Sequence, residues 1–117
     1  MRHSKHKYKF TMKRSQRASM MKNLAIELIE HRRIKSTITK CKALRIFVEK
    51  IVTISRNDSV NARRLVYSKL NNKNAVQVLF KDVGPKYIDR PGGYTSITRI
   101  SDTRTGDGAE MAIISLV

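Results

Sequence analysis

Hydrophobic positions recur along the chain with two different periods, and each change of period marks a new element. After residue 15, Ala18, Met21, Ala25 and Leu28 follow one another at spacings of three and four, with Leu24 and Ile29 widening the stripe. That is one face of an α-helix over residues 16–31, with Ser15 as its expected N-cap. Ile34, Ser36 and Ile38 then alternate with Arg33, Lys35 and Thr37, which predicts a short strand with a basic face. The helical period returns in Leu44, Phe47, Ile51 and Ile54, with Thr37 or Thr39 to cap that helix. Asn57-Asp58-Ser59 ends it, and Asp58 is placed to cap a third helix carrying Ala62, Leu65, Val66 and Leu70. Residues 71–74 read as a turn. A fourth, short helix carries Val76, Leu79, Phe80 and Val83, and Gly84-Pro85 is expected to stop it.

Past that point the pattern changes. Arg90-Pro91-Gly92-Gly93 reads as a loop. Residues 94–101 are rich in Thr, Ile and Tyr, which favours strand. Gly106-Asp107-Gly108 marks a turn, and residues 111–117 form an apolar run of strand length, near enough to pair as a hairpin. The sum is an α+β fold: a two-layer α/β domain over residues 15–117, in the order α-β-α-α-α-β-β, with helices on a three-stranded mixed sheet. Residues 1–14 carry no helical stripe. Tyr8, Phe10 and Met12 alternate with Lys7, Lys9, Thr11 and Lys13, the pattern of an extended basic arm ordered by its partner. Tyr8 and Phe10 suit either stacking on unpaired bases or packing the arm's root onto the domain.

Charge narrows the choice of partner. Lys and Arg total 25 against 9 acids among 117 residues, a net charge of +16. Self-repulsion on that scale suits a chain whose partner is a polyanion: nucleic acid, an acidic membrane surface or an acidic protein. The charge is concentrated. The first 23 residues hold eight Lys and Arg and no acid. Arg2, Lys5, Lys7, Lys9, Lys13 and Arg14, with His3 among them, are spaced to meet successive phosphates, and Arg17 and Lys22 continue the series. A second cluster joins Arg32, Arg33 and Lys35 to Lys40, Lys42 and Arg45. Cations are unfavourable at a helix N-terminus, and a nearby phosphate would reverse that penalty. A third places Arg90 and its glycines with Arg99 and Arg104; free backbone N–H groups there can hold phosphate oxygens, though a loop leading into a hairpin explains the glycines equally well.

Other chemistries find little support. No stretch approaches the ~18 apolar residues of a membrane span, and no secretory pattern follows the N-terminus; no membrane is counted among the expected partners. The lone Cys41 allows neither an internal disulfide nor a zinc ribbon; its basic surroundings would lower its pKa, but a buried, inert thiol is the simpler reading. His3 and His6 read as partial cations near phosphate rather than metal ligands, and His31 as a helix-dipole partner. No nucleophile–base spacing is present. The expectation is no enzyme, no cofactor, no metal and no small-molecule substrate.

Several segments together carry a family signature. The chain opens Met-Arg-His and continues through Leu28-Ile29-Glu30-His31, Lys42-Ala43-Leu44-Arg45 and Ala62-Arg63-Arg64. The densest segment is Asp89-Arg90-Pro91-Gly92-Gly93-Tyr94-Thr95, followed by Arg104-Thr105-Gly106-Asp107 and Met111-Ala112-Ile113-Ile114. Over essentially its whole length the chain resembles the bacterial large-subunit ribosomal protein family number seventeen. The resemblance implies a non-catalytic structural protein of the cytoplasmic ribosome. It implies binding to large-subunit ribosomal RNA near the outer end of the peptide exit tunnel, beside large-subunit protein number thirty-two. It carries RNA-facing roles onto Arg2, His3, Lys5, Arg17, Arg33, Arg90 and Arg99.

Overall fold

The computed structural model describes Phe10 and residues 12–117. Most of the extended arm read over residues 1–14 therefore lies outside the described residues, and its last residue, Arg14, belongs to the first helix. Helix α1 spans Arg14–His31, starting earlier than the Ser15 cap implied. Ser15 lies inside the helix; the chain turns at Lys13, which makes no side-chain cap. The helix closes on Arg32, whose left-handed backbone (φ 67°) lets its N–H donate to the Leu28 carbonyl at 2.8 Å.

Strand β1, Arg33–Thr37, hands over to helix α2, Ile38–Ser55, without a loop. Thr37 does both jobs: its Oγ1 accepts from the Lys40 N–H at 3.4 Å as the helix cap. The buried face of α2 runs through Cys41, Leu44, Val48, Ile51, Val52 and Ser55. This is rotated from the expected stripe, since Phe47 and Ile54 are only half-buried on its shoulder. Helix α3, Val60–Leu70, is capped by Ser59, whose Oγ accepts from the Ala62 N–H at 3.1 Å. The Asp58 carboxylate, expected to cap it, is taken by the Arg63 guanidinium at 2.7 and 2.8 Å. Asn72 caps helix α4, Lys73–Val78.

Gly84-Pro85 does not stop this helical run. The path continues as a π-helical turn over Leu79–Val83 and a 3₁₀ turn over Gly84–Tyr87. Gly84 has ordinary helical dihedrals, so its requirement is proximity: a Cβ there would overlap the Ser55 carbonyl oxygen and stand 3.0 Å from its carbon. Tyr87 follows, buried, its ring 5.2 Å from that of Tyr94, its hydroxyl donating to the Val117 carbonyl.

Strands β2, Thr95–Thr103, and β3, Glu110–Leu116, form the hairpin, and β3 occupies the centre of the sheet in the order β1-β3-β2. Both pairings are antiparallel, so the sheet is antiparallel and not mixed. Hydrophobic alternation reports which side chains share a face but not the direction in which a distant strand runs; β1 is separated from its partner by the helices and by β2. The register aligns Ile34, Ile114 and Ile97 on the face that packs against the helical core. Lys35, Ile113 and Thr98 share the opposite face.

Candidate nucleic-acid interface

The stripe on α1 outruns the core. Ala25 and Leu28 are buried, but Met21 is half-buried and Ala18 exposed, because no helix among the described residues covers the first turns of α1. Those turns stand beside α2, where Ala43 is buried, Phe47 half-buried and Ile46 50% exposed. The result is a groove of about 720 Å³ between α1, α2 and the end of α3. Its floor is Ala18, Met21, Ala43 and Phe47, and Phe10 lines it as well. Its rim carries Arg14, Arg17, Lys22, Lys50 and Lys69 and, among the described residues, no acidic side chain. Lys22 is braced by a neutral partner: with the Asn71 amide turned so that its nitrogen donates to the Tyr67 carbonyl, its oxygen accepts from Lys22 Nζ at 2.8 Å. A neutral acceptor fixes the ammonium without cancelling its charge.

The other predicted residues are dispersed. Arg33 and Lys35 point from β1 to the face of the sheet away from the helices, both exposed. Arg32 sits at the far end of α1, with Nη2 3.7 Å from Asp82. Arg99 lines a smaller cleft of about 330 Å³ with Lys42 and Arg45, and lies 3.8 Å from Glu110. Arg90 leans over the Tyr87 ring at 6.0 Å and donates to the Gly93 carbonyl at 3.4 Å. Arg104 is committed to its own turn: it clamps Asp107, and this pairing holds the Asp107 carboxyl down at about 2. Lys13 is exposed at the start of α1. Arg2, His3, Lys5, Lys7 and Lys9 lie outside the described residues.

The Arg-Pro-Gly-Gly-Tyr-Thr segment proves to be anchored from within. Tyr94 is fully buried, and the Glu49 carboxylate on α2 accepts from the Tyr94 N–H at 3.1 Å and the Thr95 hydroxyl at 3.2 Å. Thr53 donates to the Tyr94 hydroxyl at 3.3 Å. A loop read as phosphate-binding is thus held to α2 by a carboxylate, whose partners lie one and two residues beyond the glycines.

Sequence reasoning missed Lys50 and Lys69 as site residues. Lys50 stands three and seven residues from Phe47 and Ala43, so the helical period that placed the core also places it on the groove. Lys69 has no such signal, because α3 meets the groove only through tertiary packing. Burial pushes the Cys41 thiol pKa up, and its S–H points to the Ala112 carbonyl at 3.8 Å, as suits an inert thiol. Among the described residues no cluster of His, Cys, Asp or Glu is arranged to hold a metal, and no helix is long and apolar enough to cross a membrane.

These features define a basic α+β protein with open cationic surfaces. A model of the family described as Ribosomal protein L17 matches residues 20–117. The large ribosomal subunit protein bL17 of Bacteroides fragilis is 47% identical over 117 residues, covering 100% of this chain and 72% of the relative. That of Flavobacterium psychrophilum is 46% identical over the same span, also 72% of its length. That of Methylacidiphilum infernorum is 45% identical over 114 residues, 97% of this chain and 86% of the relative. The chain belongs to the ribosomal protein L17 family, structural constituents of the large ribosomal subunit and not enzymes.

Proposed function

We propose that the chain holds large-subunit ribosomal RNA through its cationic surfaces, and that the groove beside α1 is the principal one. The observation carrying this reading is the rim: among the described residues that line the groove, five are Lys or Arg and none is Asp or Glu. Like charges gathered this closely repel one another, and phosphates would relieve that repulsion while releasing condensed counterions. Arg14, Arg17 and Lys22 act there with Lys50 and Lys69. Lys13 and the arm residues Arg2, His3, Lys5, Lys7 and Lys9 extend the contact along the RNA as a strap distinct from the domain of residues 15–117. Arg33 and Lys35 on the open sheet face, and Arg32, Arg90 and Arg99, offer further phosphate contacts. Arg104, clamped by Asp107, contributes least. The position near the outer end of the exit tunnel of cytoplasmic ribosomes, and the neighbour large-subunit protein number thirty-two, follow from the family resemblance.

The test is a titration of binding to a fragment of large-subunit ribosomal RNA against salt. With roughly 6–8 phosphate contacts on duplex, the log–log slope should be about −5 to −7. A slope near zero, or equal affinity for duplex DNA of the same charge, would reject ribosomal RNA as the ligand.

A further inference from the structure

We infer that the groove between α1, α2 and α3 takes an unpaired nucleotide of the RNA, with its base on the apolar floor and its flanking phosphates on the rim. The inference rests on the reading of the rim as an RNA surface and adds the form of RNA it accepts. The floor and the rim make different demands. A ring of cations alone would be served by any phosphate backbone. The floor is apolar and open: Ala18 is exposed, and Met21 and Phe47 are half-buried, at the bottom of a concavity of about 720 Å³. Volumes of this order receive compact, largely apolar ligands. The convex phosphate surface of a duplex would span the rim and leave Met21 and Phe47 in water. A base out of its stack brings a π-face to them, and every base has one. Methionine sulfur and an aromatic ring are both favourable partners for such a face. Lys22, Lys50 and Lys69 approach the same floor from three helices, so phosphates on either side of one inserted base have cations to meet. A protein segment would need acidic groups to satisfy this rim; a nucleotide chain carries its own.

The experiment compares the full chain binding a fluorescein-labelled 12-nucleotide single-stranded RNA and a 12-base-pair RNA duplex at one salt concentration. Ala18→Gln fills the floor without changing charge or touching the core. It should weaken single-strand binding about 5-fold or more, as loss of one stacked base does, and leave duplex binding within about 2-fold. Lys50→Met should weaken both. Equal loss on both RNAs with Ala18→Gln, or no loss on the single strand, would overturn the inference while leaving RNA binding intact. Failure of the wild-type chain to bind either RNA would overturn the parent reading instead. If Ala18→Gln left RNA binding unchanged but released a neighbouring protein from salt-washed subunits, the groove would belong to a protein and the inference would fall.

Discussion

Replacing Gly84 by alanine separates two explanations of that residue. If Gly84 were simply another helical position, alanine would be harmless or helpful here, because the backbone is helical at φ −55°. At a compatible position Gly→Ala stabilises by about 0.4–1 kcal/mol through the unfolded chain. The structure predicts the opposite sign. The new methyl would overlap the Ser55 carbonyl oxygen and stand 3.0 Å from the carbonyl carbon, and both atoms are backbone at the end of α2. Neither can rotate away, so α2 or the 3₁₀ turn must shift. Overpacking of this kind costs about 1–3 kcal/mol. At roughly 4 °C per kcal/mol for a chain of this size, the melting temperature should fall by about 4–12 °C. Gly92→Ala is the control: nothing lies within 4 Å of its added Cβ, and the melt should move little or rise slightly. Melts followed by circular dichroism decide the matter. A Gly84→Ala protein as stable as wild type would show that the approach to Ser55 is not required.

Asp107 is held at about 2, below its ordinary 3.8, chiefly by the Arg104 guanidinium. A depressed carboxyl contributes stability above its unfolded value and loses it as pH falls toward its folded one. The stability gap between wild type and Asp107→Asn should therefore be constant above about pH 4 and close between about pH 4 and 2; a gap that persisted at pH 2 would contradict the pairing. Cys41 should resist iodoacetamide in the native protein at pH 8 and react once guanidinium unfolds it, whereas rapid native labelling would show the thiol is not sealed. Lys50→Met should reduce the salt slope of RNA binding by about 0.7–0.9. Arg104→Met should leave that slope nearly unchanged, since its charge is already matched by Asp107, and an equal reduction by both variants would undo the ranking of these cations.

Much of the architecture is legible in the linear pattern. The helical stripes, the hairpin and the strand before α2 depend on side chains a few residues apart, and their periods are written locally. The α3 cap lies one residue beyond the expected Asp58: the nearby Arg63 takes that carboxylate, and Ser59 caps instead. Charge and family resemblance made a polyanion partner readable before any fold was known.

Tertiary structure alone decided three things. It set the direction of β1, because alternation is the same in a parallel and an antiparallel strand. It revealed Gly84 as a close-approach glycine, because Ser55 is distant in sequence and no local signal joins the two. It also divided the cations. Arg104 and Arg99 face acids across a turn and a strand pair, while Lys50 and Lys69 join Arg14, Arg17 and Lys22 around a groove that no single segment contains. A sequence counts charges, but only packing brings helices together and determines which charges face an acid and which gather around an apolar floor.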